Sequence, residues 1–344
     1  MTVERHRDRW HVRRKVNGRR VHVGAYATRE EAEAANARHS DERAVEPAPV
    51  RSAPFEVESV VPDVIDVAEL VERRKREFAR KRAHEEASKL IGVRVNVDGP
   101  FGILHMGDPH VDDDGTDIAA LERHTDIARE TPGLFVGNVG DSSNNWVGRL
   151  ARLYAEQSTS AAEAWRLVEW LIGRCRWLYI VSGNHELFSG AGNPMQWITR
   201  QGDSLHKETN VRLSLMPPRG GEVRVNVRHD FAGHSQYNPA HGSMKAALFG
   251  AKDHILVNGH THQSGLGVIK DPHSGIVCHC VQVASYKIFD RYAKEKGFRD
   301  QHISPCAVTI IDPDANEASK VQVFWDPEPA AEYLTWLRAK RRAA

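Results

Sequence analysis

Phe101-Gly-Ile-Leu-His-Met-Gly-Asp108-Pro-His110 runs from an apolar stretch straight into a glycine, a carboxylate and an imidazole. The apolar part has the length of a strand, and its lack of alternation suits a strand buried on both faces. The same kind of ending recurs downstream. Gly140-Asp141-Ser-Ser-Asn144, Gly183-Asn184-His185-Glu186, His229-Asp230 and Gly259-His260-Thr-His262 each follow an apolar run. Strands are expected at 101–106, 134–139, 177–181, 223–227 and 254–257, separated by helices at 117–130, 147–174 and 241–250. That order is an α/β pattern. Later strands near 276–284, 305–311 and 320–325 come without long helices between them, which predicts a second sheet packed on the first, and 327–344 reads as a C-terminal helix.

Side chains placed at the carboxyl ends of such strands converge on one crevice. Their types here are imidazole, carboxylate and one amide, with no thiolate, a set that suits divalent ions of the Mn, Fe or Zn class. A single catalytic zinc takes three protein ligands, whereas Asp108, His110, Asp141, Asn184, His229, His260 and His262 offer about seven, enough for two ions sharing a carboxylate. The fourth position stays open between His229, which ends the alternating run Val223-Arg-Val-Asn-Val-Arg228, and His234 a few residues on.

In their order and spacing, Asp108-x-His110, Gly140-Asp141-x-x-Asn144, Gly183-Asn184-His185-Glu186, the His near 229 and Gly259-His260-x-His262 resemble the successive signatures of the calcineurin-like metallophosphoesterases. The resemblance covers roughly residues 100–325. It implies a four-layer αββα sandwich, two mixed sheets flanked by helices, and a dinuclear phosphoester hydrolase. One ion would take Asp108, His110, Asp141 and His262, and the other Asp141, Asn184, His229 and His260, with Asp141 as the bridge. His185 would steady the transition state or protonate the leaving oxygen, and Asn144 and His234 are positions for contacts with phosphate or with the ligands. Many members carry Asp-Arg after the second signature, whereas this chain has Asn144-Asn145-Trp146 and so lacks a bidentate anion clamp there. That departure leans away from phosphoprotein phosphatases toward nuclease, nucleotidase or small-phosphodiester branches.

Upstream, residues 9–24 alternate around Asn17-Gly18, a strong hairpin signal, and Thr28 with Glu31 forms a capping box for a following helix. Eight Lys or Arg stand in residues 1–24 against two acids. The pattern Trp10-x-Val-Arg, Gly24-x-Tyr-x-Thr28 over about 5–42 resembles the AP2-like and integrase arm-type DNA-binding fold, a three-stranded sheet backed by a helix. DNA is the implied partner, through Arg13, Arg14, Lys15, Arg19 and Arg20. Such pairings occur in phage-like or other bacterial mobile-element settings. The expected organisation is a module at 1–45, a linker and charged helix at 46–98, the hydrolase domain at 99–326 and the helix at 327–344.

The whole chain of 344 residues is 40% hydrophobic, with 47 basic and 46 acidic residues, so a charge-driven partner must meet a local patch. Four cysteines, Cys175, Cys278, Cys280 and Cys306, match neither a disulfide framework nor a CxxC metal site. No apolar run is long enough for a membrane span or a signal-peptide core, and the expectation is a cytoplasmic protein without a membrane partner. Oligomeric state is open. His105, His124, His206, His241, His254 and His302 read as surface or hydrogen-bonded core residues, Asp112, Asp113 and Asp114 as a solvated turn, and Trp165, Trp170 and Trp177 as core. The functional expectation is metal-dependent phosphoester hydrolysis on nucleic acid. The alternatives are action on small nucleotides, and a DNA-binding protein whose hydrolase domain is inactive.

Overall fold

The computed structural model describes residues 2–16, 19–41, 64–188, 193–202, 204–289, 297 and 302–343. Two compact units divide the chain, Met1–Glu72 and Arg73–Ala344. In the first, β1 (Thr2–His6), β2 (Arg9–Val16) and β3 (Arg19–Tyr26) form an antiparallel sheet followed by α1 (Arg29–Asp41). Val12, Ala32 and Ala35 are its buried centre. The helix starts as its sequence dictates. Thr28 Oγ1 accepts the Glu31 amide at 3.2 Å, while the Glu31 carboxylate takes the amides of Ala27 and Thr28. The Asn17-Gly18 turn and the extended linker expected over 47–62 lie outside the described residues. α2 (Val67–Ser88) is the expected charged helix, and none of its residues is buried.

From Ile91 onward the strands are β4 (Ile91–Arg94), β5 (Phe101–Met106), β6 (Leu134–Asn138), β7 (Trp177–Val181), β8 (His206–Lys207), β9 (Asn210–Met216), β10 (Val223–Arg228), β11 (Ile255–Asn258), β12 (Gly265–Lys270), β13 (Val277–Gln282), β14 (Cys306–Ile311) and β15 (Val321–Phe324). The helices are α3 (Ile118–Glu130), α4 (Ala161–Arg174), the single turns α5 (Asn184–Leu187) and α6 (Met195–Ile198), α7 (His241–Phe249) and α8 (Pro327–Ala343). Two six-stranded sheets result, ordered β15-β14-β5-β6-β7-β8 and β12-β13-β11-β10-β9-β4. Both are mixed: β5 through β8 run parallel with β14 antiparallel to β5, and β10, β11 and β13 run parallel with β9 and β12 antiparallel at their flanks.

Three apolar clusters stack these elements into four layers. Phe101, Ile103, Tyr179 and Val181 of the first sheet meet Leu213, Val225, Val257 and Val281 of the second. On the first sheet's outer face Leu104, Val136 and Ile180 pack under Leu121, Leu171 and Leu334 from α3, α4 and α8. Beyond the second sheet, Leu256, Cys278 and Cys280 lie under Ala247 of α7. The architecture is therefore αββα. Burial on both faces explains the unbroken apolar run of β5, every residue of which is buried. β10 alternates because its outer face is polar: Arg212, Arg224 and Asn226 converge there on the buried Asp253 carboxylate.

Several sequence expectations need correction. β14 and β15 join the first sheet beside β5, whereas β10 and β11 belong to the second; strand pairing is a long-range choice that local pattern does not carry. β4, β8, β9 and β12 were not anticipated. β4 already pairs with β9, so the α/β unit begins before residue 99. The C-terminal helix expected over 327–344 is α8, whose Leu334 and Leu337 enter the core. The single helix expected over 147–174 is a 3-10 stretch, Gly148–Glu156, and then α4, restarted at Ser160 by a capping box with Glu163. Among the described residues no helix is long and apolar enough to cross a membrane.

Candidate metal centre

The loops after β5, β6, β7, β10 and β11 bring all seven candidate ligands together. Asp108, His110, Asp141 and His229 are buried, and Asn184, His260 and His262 are half-buried. Backbone at His110, Asp141, His260 and His262 is left-handed, with φ of 40°, 48°, 71° and 54°. Such φ values cost a non-glycine residue about 1 kcal/mol or more and persist only where packing enforces them. Two glycines make room for the carboxylates. A Cβ on Gly183 would fall on the Asp141 carboxylate, and one on Gly259 would crowd Asp108 Oδ1.

His229 organises one side of the cluster. Its Nδ1 lies 3.1 Å from the Val139 carbonyl, which can only accept, so Nδ1 carries the proton and Nε2 keeps its lone pair in the neutral ring. Around that Nε2 stand Asn184 Oδ1 at 3.0 Å, His260 Nδ1 at 3.1 Å and Asp141 Oδ2 at 3.2 Å. On the other side His262 Nε2 is 3.5 Å from Asp108 Oδ2, and the His110 ring stands edge-on to His262 with centroids 5.2 Å apart. Asp141 Oδ2 faces both groups, 3.2 Å from His229 Nε2 and 3.9 Å from His110 Nε2. Three sets of donor atoms are mutually close enough to hold an ion: Asp108, His110 and His262; Asp141, His229 and His260; and His110, Asp141 and His185.

Whether these residues fit a metal can be tested on their unmet bonding. Asp108 Oδ1 and both ring nitrogens of His110 are buried with no hydrogen-bond partner. A buried polar atom left so costs about 1–3 kcal/mol, which a divalent cation at the cluster would relieve. The charges point the same way. Burial pushes the Asp108 carboxyl up to about 8. For His229 burial alone favours the neutral ring, yet the charges of Asp141 and Asp108 outweigh it and raise the imidazole to about 10. The protein by itself thus neutralises its buried carboxylates with protons, the role cations take when metal displaces them. The donor set fits divalent ions.

A supporting layer was only partly legible in the sequence. Glu186, fully buried, accepts the amides of Asp141, Ser142 and Gly183 and so ties the second ligand loop to the third. His185 Nδ1 donates to the Asn144 carbonyl at 2.6 Å, which directs Nε2 toward Asp141 Oδ2 at 3.8 Å. Asn144 therefore positions His185 through its backbone, while its side chain reaches Asp113 and Gln157. The solvated turn expected at 112–114 is a correction. Asp112 is buried and accepts from the Asn144 amide and from Gln157, Asp113 pairs with Lys287 at 2.9 Å, and Asp114 takes the Ser158 amide and hydroxyl. Gln157 reaches this network because the helix is interrupted there, a break that the apolar periodicity did not announce.

His234 stands apart, its side chain 61% exposed and paired with Asp230, so His229 is the member of the cluster. His105 and His124 are hydrogen-bonded core residues, on Thr309 and Tyr286 respectively. Trp177 is buried, with Trp165 and Trp170 packed against the same core. Of the five basic residues assigned to nucleic acid, Arg20 is exposed and Arg13 lies 3.7 Å from Glu4; the side chains of Arg14, Lys15 and Arg19 lie outside the described residues.

Fold and site together define a two-sheet α/β protein with a histidine and carboxylate cluster suited to divalent ions. No protein-family model and no curated protein matches the chain. Among solved structures it is similar to the NAD nucleotidase NadN of Haemophilus influenzae, with 10% identity and a TM-score of 0.34 over 65% of this chain and 49% of that one. It is also similar to the nuclease MPE of Pseudomonas putida, with 13% identity and a TM-score of 0.31 over 65% and 86%. A third is GAP50, the anchor in the inner membrane complex of Plasmodium, with 10% identity and a TM-score of 0.34 over 70% and 95%. The chain spans about half the length of the nucleotidase. Likeness at these scores carries no argument about activity.

Proposed function

We propose that the chain is a dinuclear metal-dependent phosphoester hydrolase acting on nucleic acid. The observation that carries this reading is the convergence of seven donor side chains from five strand ends, with Asp108 Oδ1 and the His110 ring nitrogens buried and unsatisfied. Asp108, His110 and His262 would hold one ion, Asn184, His229 and His260 the other, and Asp141 both. Two such ions would supply charge neutralisation for a phosphoryl group and would lower the proton affinity of a water between them.

The chain's own residues do the rest. His185, fixed by the Asn144 carbonyl and by Asn145, whose side-chain amide donates to the His185 carbonyl at 2.6 Å, presents Nε2 to hold or deliver a proton at the leaving oxygen. Glu186 keeps the loop amides in place so that Asp141 and Asn184 stay in register. The basic β2 and β3 of the first unit would meet the phosphate backbone and bring nucleic acid to the protein.

The test is a substrate panel on metal-stripped protein refilled with Mn, Zn or Mg. Expected is metal-restored hydrolysis of a nitrophenyl phosphodiester and of DNA. Hydrolysis of nucleotides but not of DNA would move the substrate to small nucleotides. Absence of turnover with every ion and ester would overturn the enzyme reading.

A further inference from the structure

Resting on the hydrolase reading, we propose that Lys287 is a phosphate-binding residue of this site, its ammonium taking a non-bridging phosphoryl oxygen of the substrate. The sequence leaves the second signature without a cationic clamp, and a cation arrives at the same place from a distant segment. Residues 285–289, which follow β13, are stitched along the loop that carries Asp108 and His110. Ser285 Oγ and the Tyr286 amide both donate to the Asp108 carbonyl, at 2.7 and 3.2 Å. The Asp117 amide donates to the Tyr286 carbonyl, the amides of Ile288 and Phe289 to the Gly115 carbonyl, and Lys287 bridges Thr116.

The backbone of Lys287 is thus fixed beside the first ligand loop, and its side chain is fixed as well. Nζ lies 2.9 Å from Asp113 Oδ2 and 5.9 Å from the centroid of the Trp146 ring, and the side chain is only 10% exposed. The Trp146 ring in turn stands edge-on to His185, with centroids 5.2 Å apart. Asp113 Oδ2 also receives the Asn144 side-chain amide at 2.9 Å, so one carboxylate touches both the cation and the residue that orients His185. Burying an ammonium is costly, and a purely structural ion pair offers no advantage over apolar packing. An ammonium is a compact charge whose three donors rotate, so a phosphoryl oxygen can join or displace its protein partners. In this low-dielectric position such a bond is strong. Trp146 then acts as the apolar wall that keeps the ammonium in place, its Nε1 anchored on Gln157 at 3.0 Å.

The experiment uses the full chain loaded with Mn, and inorganic phosphate as the probe in titration calorimetry, with metal content measured alongside. Lys287→Gln is expected to weaken phosphate binding about 10- to 100-fold with metal content unchanged, and Lys287→Arg to recover most of it. Asp113→Asn separates binding from scaffolding, because it breaks the ion pair but keeps the cation; phosphate affinity is expected to hold or tighten. Where Lys287→Gln does not fold, Lys287→Met keeps the stem and serves instead. Phosphate affinity within twofold of wild type in the uncharged variant overturns the proposal, as does an Asp113→Asn protein that loses phosphate as the Lys287 variant does, or a wild-type protein that binds none. Turnover is read separately: metal-loaded wild type that binds phosphate through Lys287 yet cleaves no ester overturns the hydrolase reading and leaves the binding role standing.

Discussion

Asp141 Oδ2 is the atom on which both halves of the cluster close, and its residue sits on left-handed backbone that the surrounding loops enforce. Replacing one carboxylate oxygen by an amide in Asp141→Asn removes the shared charge while keeping the shape. Metal-dependent turnover is expected to fall by about a thousandfold or more, with DNA affinity unchanged. Turnover within tenfold of wild type would remove Asp141 from the bridge. His105 is informative for the opposite reason, as a buried histidine outside the cluster. Held between Tyr179 and Thr309, it is lowered by burial from its ordinary 6.5 to about 3. The unfolded chain therefore binds a proton that the folded chain refuses between those values, and stability from this residue is complete above pH 6.5 and lost as pH falls toward 3. Denaturant titrations from pH 7 to 4 should show a shallower loss for His105→Gln than for wild type, by up to about 1.4 kcal/mol per pH unit. Parallel curves would show that His105 takes up its proton as readily in the fold as in the unfolded chain.

At the scale of elements, the strand endings were the most readable feature. Gly107-Asp108 and Gly259-His260 announce strand ends that carry candidate ligands, and the structure places Asp108 and His260 in the loops after β5 and β11. What the sequence did not reveal was which strand lies beside which. β9 carried its own signal, with Val211, Leu213 and Leu215 buried on alternate positions. β8 is two residues long, and the edge strands β4 and β12 carry glycines that dilute the pattern. The support layer escaped because Gln157, Asp113 and Lys287 meet only through tertiary packing. The three-stranded sheet of the first unit offers a separate test. Neutralising Arg13, Arg14, Arg19 and Arg20 to Gln should flatten the plot of log binding constant against log salt by about 0.9 for each phosphate that is no longer neutralised. An unchanged slope would detach this sheet from nucleic acid.

For the molecule as a whole, four layers exist to bring the carboxyl ends of strands from both sheets to one place. β5, β6 and β7 belong to one sheet and β10 and β11 to the other, so a single centre needs the two sheets packed in one register, and the apolar layer between them fixes it. Composition and periodicity anticipated two sheets and the convergence, because both follow from local patterns repeated in order. On the proposed reading this convergence holds a pair of divalent ions around one carboxylate. That reading is tested most directly by counting ions per chain by atomic emission after metal-stripped protein is refilled with Mn and dialysed. Two per chain in the wild type and a loss of both or of one in Asp141→Asn is the expected result. A wild type that retains fewer than two, or an Asp141→Asn protein that retains the full wild-type complement, would contradict it.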